Sequence, residues 1–181
     1  LLKLVSITSV DSKMKILITG TAGFIGFHLS RILVNEGHEV FGLDSINDYY
    51  DQNLKFARLK NNGFDKNKIE YNKPFKSEKY KNHSFINLEL EDVDNLQSLC
   101  KKEKFDAVCN LAAQAGVRYS LTNPMAYIKA NVEGFLNILE LSKDQNVEHL
   151  IYASSSSVYG LNSSPFSELD AVDHPISLYA A

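Results

Sequence analysis

Lys15-Ile16-Leu17-Ile18-Thr19-Gly20-Thr21-Ala22-Gly23-Phe24-Ile25-Gly26 is the stretch that sets the architecture. A short β-branched apolar block that stops at glycine suits a strand buried on both faces of a parallel sheet. Beyond it Phe24, Ile25, Phe27, His28, Leu29, Ile32 and Leu33 recur near helical spacing as far as Gly37, and Glu39 to Leu43 predicts a second strand ending at Asp44. The unit is strand, helix, strand, with Gly20, Gly23 and Gly26 at its first joint. Glycine suits this joint for three reasons: the turn needs unusual dihedrals, a side chain would hold the backbone away from a pyrophosphate, and the helix must pack close to the strand. The helix N-terminus adds free N–H groups and a partial positive charge. Dinucleotide binding is the reading of this motif in this position.

Further along the chain, Ser45 to Ser84 turns polar and rich in Asn and Lys, with a helix expected around Asn53 to Lys60 and a loop around Pro74. This segment, about 45–84, reads as an insertion. Its scattered lysines form no periodic face and read as a solvated loop rather than a phosphate patch. Strands are then expected at Ser84 to Leu88, Asp106 to Leu111 and Glu148 to Ser154, with helices at Val93 to Glu103 and Pro124 to Ser142 between them. Alternating strands and helices predict an α/β fold, a Rossmann-like doubly wound parallel sheet in the order 3-2-1-4-5.

The chain has 181 residues, 44% hydrophobic and 23% charged, with a net charge of -3, a composition that argues against a disordered tail or a basic nucleic-acid binder. No apolar run approaches the ~18 residues of a membrane helix, so no membrane partner is expected. Cys100 and Cys109 lack metal-ligand spacing, so no metal is expected and a reducing cytoplasm is the simpler setting. Met14 reads as the natural start, which makes residues 1–13 a leader or non-native extension and 14–181 the dinucleotide-binding domain.

Asp44, at the end of the second strand, can accept hydrogen bonds from adenosine ribose hydroxyls and repels a 2′-phosphate. With no arginine beside it in the sequence, NAD is preferred over NADP.

The spacing Gly-x-x-Gly-x-x-Gly resembles the extended short-chain dehydrogenase/reductase superfamily, which includes nucleotide-sugar epimerases and dehydratases. Asn110-Leu111-Ala112-Ala113-Gln114-Ala115-Gly116-Val117-Arg118-Tyr119-Ser120 is similar to that family's fourth-strand end, which passes over the cofactor. Ala153 to Gly160, with its serine run, is similar to the fifth-strand motif, and Ser177-Leu178-Tyr179-Ala180-Ala181 to the start of the Tyr-x-x-x-Lys helix. With Ile46-Asn47-Asp48-Tyr49-Tyr50-Asp51 and Asp173-His174-Pro175, the resemblance is nearest to UDP-glucuronate 4-epimerases and their capsule-biosynthesis relatives.

The resemblance implies an NAD-dependent epimerase acting on a nucleotide sugar, a homodimer when full length. Gly20, Gly23, Phe24, Ile25, Gly26, Asp44, Leu111, Ala112, Ala113 and Asn131 would hold the cofactor, with Glu89 in place of the family's aspartate or asparagine after the third strand. Tyr179 would take the proton from a sugar hydroxyl while Ser155 hydrogen-bonds the same oxygen. A phenol is a weak base at neutral pH, so the family relies on a lysine four residues later. Ser156 and Ser157 stand where sugar 4,6-dehydratases have an acidic pair, which disfavours dehydration and makes them substrate contacts, and Arg118 is the candidate for a carboxylate or phosphate. The family pattern continues through further strands and a C-terminal substrate domain. The expectation is therefore a fold truncated before its last strands, inactive in the 181 residues given. Alternatives are another nucleotide-sugar oxidoreductase and a non-catalytic NAD-binding remnant.

Overall fold

The computed structural model describes residues 13–181, so the expected leader lies almost wholly outside the described residues. Strand β1 (Lys15–Thr19) is followed by helix α1 (Phe24–Asn35), β2 (Glu39–Asp44), α2 (Gln52–Asn61), β3 (Phe75–Lys76), β4 (His83–Asn87), α3 (Val93–Lys102) and β5 (Ala107–Asn110). Then come the short helices α4 (Val117–Thr122) and α5 (Pro124–Tyr127), a π-helical turn at Ile128–Glu133, α6 (Gly134–Asp144) and β6 (His149–Tyr152). The strands lie in the order β3-β4-β2-β1-β5-β6. Without β3, that is the expected 3-2-1-4-5 order, and all its pairings are parallel.

Period-two alternation along β1 builds two layers. Leu17 faces one side with Phe41, Ile86, Val108 and, from the helices α3 and α6, Leu96, Leu99 and Ile138. Ile16 and Ile18 face the other with Val40 and α1 residues Leu33 and Val34. Each helix layer thus covers one apolar face of the same sheet, which is why the strands read as unbroken apolar runs.

The polar segment 45–84 is more ordered than its composition predicts. Phe64, Phe85, Leu59, Ile46 and Ala22 form a third buried cluster beneath α2. Phe75 and Lys76, expected as loop, pair antiparallel with Phe85 and Ser84 and cap the edge of β4. Lys55 also departs from the solvated reading, being 8% exposed. The helix expected over Pro124 to Ser142 is present but passes through the π-helical turn, and α4 precedes it unforeseen.

His83 on β4 is 1% exposed, its ring 4.8 Å from that of Phe64, and neither ring nitrogen has a hydrogen-bond partner among the described residues. Burial pushes its imidazole down to about 4, because the charged form loses hydration without gaining a partner. The unfolded chain therefore takes up this proton near pH 6.5 while the folded chain does so only near 4. Stability should be constant above the unfolded value and fall as the pH drops between the two. Urea denaturation should show a loss of about 2 kcal/mol between pH 7 and pH 5 that His83→Leu removes. An equal loss in the variant would place the acid sensitivity elsewhere.

Candidate cofactor cleft

The C-terminal ends of β2, β1 and β5 carry the site, at the point where the chain reverses direction across the sheet. Gly20 leaves β1 with φ +74°, and a Cβ there would lie 3.0 Å from the Ala112 nitrogen. A Cβ on Gly26 would overlap the Gly20 carbonyl oxygen and lie 2.9 Å from the Thr21 Cα, so α1 can approach the turn only without a side chain. Gly23 caps α1 without a side chain that could occupy the first-turn N–H groups, and the first turn holds no acidic residue. Those donors remain available to an anion.

Asp44 organises the β2 side. Its Oδ2 accepts from the Ala22 N–H at 3.0 Å and its Oδ1 from the Ile46 N–H at 2.8 Å. Ile46 is β-branched and 5% exposed yet has φ +50°, a conformation costing about 1–3 kcal/mol that survives only where surroundings over-determine it. Here the surroundings are the Asp44 bond, the buried cluster under α2 and the Gln52 Nε2, which donates to the Ile46 carbonyl at 2.7 Å. The Lys55 ammonium lies 3.7 Å from Asp44 and donates to Asn47 Oδ1 at 2.8 Å. Arg58 donates to the Ala22 carbonyl at 3.2 Å. The α2 helix thus brings one cation, Lys55, to a carboxylate that has no basic neighbour in the sequence, and ties a second, Arg58, to the glycine turn.

Thr19 organises the β5 side. Its hydroxyl donates to Asn110 Oδ1 at 2.7 Å and accepts the N–H groups of Leu111 and Ala112, each at 3.0 Å. Asn131, in the π-helical turn, accepts from the Gln114 N–H at 2.7 Å and donates to the Gln114 carbonyl at 3.0 Å. Tyr127 donates to the carbonyls of Ala115 and Gly116. The chain leaving β5 is therefore fixed residue by residue.

Between these walls lies a cleft of about 630 Å³. Gly20, Gly23, Phe24, Ile25, Gly26, Asp44, Glu89, Leu111, Ala112 and Ala113 all line it. Asn131 does not; it acts through Gln114. Ser155 and Tyr179 are also outside the lining. Ser155 accepts the Ser157 N–H at 3.1 Å and caps a 3₁₀ turn formed by Ser156 to Tyr159, and the Tyr179 ring packs edge-on to Tyr127 at 5.8 Å. Arg118 is exposed at the start of α4.

Lining residues that the sequence did not single out for a role include Asn47, Tyr49, Lys55, Glu91, Gln114, Tyr119 and Lys129. Only their place beside recognised motifs could have pointed to them. Burial and the nearby Glu89 and Glu133 push the Glu91 carboxyl up, against the pull of Lys129. Partial desolvation and the phenols of Tyr50, Tyr119 and Tyr179 push Tyr49 up, and burial does the same to Tyr127, so both remain neutral. Burial pushes the Cys100 thiol to about 12, and Cys109 is raised for the same reason; both are free thiols. Among the described residues no acidic, His or Cys cluster could hold a metal, and no helix is long and apolar enough to cross a membrane.

A model of the NAD dependent epimerase/dehydratase family matches residues 16–181. The chain belongs to this family. It is 53% identical over 169 residues to Protein CapI of Staphylococcus aureus, covering 93% of this chain and 46% of that protein. It is 44% identical over 179 residues to UDP-glucuronate 4-epimerase 4 of Arabidopsis thaliana, covering 96% and 37%. Among solved structures, UDP-glucose 4-epimerase of Thermus thermophilus in complex with NAD superposes with a TM-score of 0.68 at 26% identity, covering 92% and 46%. The chain spans less than half the length of these family members.

The cleft fits the family's dinucleotide: Gly20 and Gly26 form a cradle that a Cβ would fill, and the start of α1 keeps its donors free. Thr19→Val, nearly isosteric, would strand the Leu111 and Ala112 N–H groups. It should cost about 2–4 kcal/mol in denaturation and weaken NADH binding, while Thr19→Ser should restore both. A Val variant as stable as the parent would show that the hydroxyl does not hold the β5 wall.

Proposed function

We propose that the full protein is an NAD-dependent 4-epimerase of a UDP-sugar and that it interconverts UDP-glucuronate and UDP-galacturonate. The observation that carries this is the single cleft joining the glycine turn and Asp44 to Leu111, Ala112 and Ala113, in a chain similar over most of its length to a UDP-glucuronate 4-epimerase.

The N–H groups at the start of α1 receive the pyrophosphate. Each Asp44 oxygen accepts one backbone N–H, which leaves lone pairs for ribose hydroxyls, and Glu89 lies further along the same wall. NAD, when bound, supplies a reversible two-electron oxidation at C4 of the sugar. Tyr179, acting as the phenolate that the family pattern stabilises with a lysine four residues later, takes the C4 hydroxyl proton onto its oxygen and later returns it. Ser155, whose oxygen accepts the Ser157 N–H, keeps its own hydrogen to donate to the reacting oxygen. Tyr127 supports the Tyr179 ring edge-on, its own hydroxyl committed to two carbonyls. The 4-keto sugar turns over and is reduced from its other face. Because that ketone is β to the C5 carboxylate, the site must restrain the carboxylate against decarboxylation. Arg118 is the proposed contact for it, and Ser156 and Ser157 are proposed as further substrate contacts.

A homodimer in the cytoplasm completes the proposal. Exposed Met125, Val132 and Leu136, in α5, the π-helical turn and α6, support an apolar interface, and two free thiols raised by burial suit a reducing compartment.

The full chain incubated with UDP-glucuronate should reach a mixture with UDP-galacturonate without net NADH formation. Tyr179→Phe should lower turnover about 10²- to 10⁴-fold while leaving NAD binding intact. Stoichiometric NADH release would favour a net oxidoreductase, and no turnover with NAD still bound would favour a non-catalytic remnant. Gly23→Val, which projects methyl groups from a residue lining the cleft, should abolish NAD binding measured by calorimetry.

A further inference from the structure

We propose that Tyr49 and Tyr119 form an aromatic strap that closes over the dinucleotide and keeps the reduced cofactor bound between the two halves of the reaction. The proposal rests on the reading of the cleft as an NAD site and extends it to a residue pair with no role so far. Tyr49 belongs to the loop that leaves β2, and Tyr119 to α4, which follows β5. These strands flank β1 on opposite sides, so a contact between the two rings crosses the end of β1, where the glycine turn lies. Their centroids are 4.9 Å apart with the planes inclined by 42°, and both residues line the cleft.

The strap is built in place. Asp44 and Gln52 hold Ile46 in its left-handed conformation and thereby direct the loop back toward the cleft. On the far side, Gly116 leaves room for the Tyr49 hydroxyl: a Cβ there would lie 2.7 Å from the oxygen. The Tyr119 ring is in turn 6.2 Å from Tyr127, whose hydroxyl is tied to the backbone of Ala115 and Gly116. Both ends of the contact are anchored to the walls that hold the glycine turn.

An epimerase returns the electrons to the sugar that gave them. Reduced cofactor that escapes after the first half-reaction leaves the keto sugar stranded, so a device that slows release has a direct chemical use. Rings rather than hydroxyls make the contact, which separates this role from a hydrogen-bonding one.

The test is stopped-flow release of NADH from the preloaded full chain into excess NAD, followed by fluorescence. Tyr49→Ala should release NADH roughly five- to tenfold faster, with a near-ultraviolet dichroism spectrum like that of the parent. Tyr119→Ala, on the other wall, should give the same acceleration. The double variant should be no faster than either single one, because each removes the same contact. Tyr49→Phe should release at the parental rate. Unchanged release in both alanine variants, multiplying effects in the double variant, or a Phe variant as fast as Ala would each overturn the strap. Accelerated release without UDP-glucuronate turnover would sink the epimerase reading alone, whereas turnover with unchanged release would sink the strap alone.

Discussion

The carboxylate of Asp44 is 6% exposed and receives one backbone N–H from the glycine turn and one from Ile46, with the Lys55 ammonium nearby; the β2 wall of the cleft and the glycine turn are positioned against it. Taking a carboxylate and an ammonium out of water costs several kcal/mol each, and their attraction offsets it only if further hydrogen bonds complete both groups. Here two backbone donors bond to Asp44, one to each oxygen, and Asn47 accepts from Lys55. Such an arrangement is better suited to specifying position than to adding stability. The turn after β1, the loop after β2 and the helix α2 take their relative places from one charged group.

Thr19 answers Asp44 from the other side of β1, with a neutral hydroxyl that satisfies two N–H groups of the chain leaving β5. Asn131 then clamps both backbone groups of Gln114. The difference in chemistry follows from what each wall must present. On the proposed reading the β2 wall offers acceptors to a ribose, and a carboxylate with spare lone pairs then serves both fold and ligand. The β5 wall has only to present a fixed backbone, and uncharged groups with no spare capacity hold it at a smaller desolvation cost.

Sequence and structure agree where the signal is local. Ile16 to Ile18, Val40 to Leu43 and Val108 to Asn110 announce buried parallel strands, and the glycine triplet announces the turn because strand and helix periods meet there. Disagreement begins where tertiary contacts decide. Phe75–Lys76 is too short, and too close to Pro74, to read as a strand, yet pairing with β4 makes it one. Lys55 resembles its solvated neighbours until α2 turns it toward Asp44. The π-helical turn covers only the six residues Ile128–Glu133, too short a stretch for a change of apolar period to be read from sequence. Tyr49 and Tyr119 are separated by several elements of the fold, and nothing in either local stretch predicts that their rings meet. Ser155 and Tyr179 were legible only through resemblance, since a serine run and a tyrosine near the end of the chain carry no pattern of their own.

The polar segment 45–84 is what makes the two walls unequal. Hydrogen bonds to Thr19 hold the β5 side directly on β1, while the β2 side leans on a small aromatic core of Phe64, Phe85 and Leu59 that also includes Ala22 and Ile46. His83 lies against Phe64 in that neighbourhood with no partner for either nitrogen among the described residues. A buried polar group of this kind costs stability for as long as it stays neutral, and more once it must be charged. Ile46 carries its backbone strain on the same packing, so the turn of the loop toward the cleft depends on that cluster. Loosening there reaches Ile46 and the loop that bears Tyr49 through direct contact, whereas Thr19 and the chain beyond β5 are tied to β1 by bonds that do not pass through it.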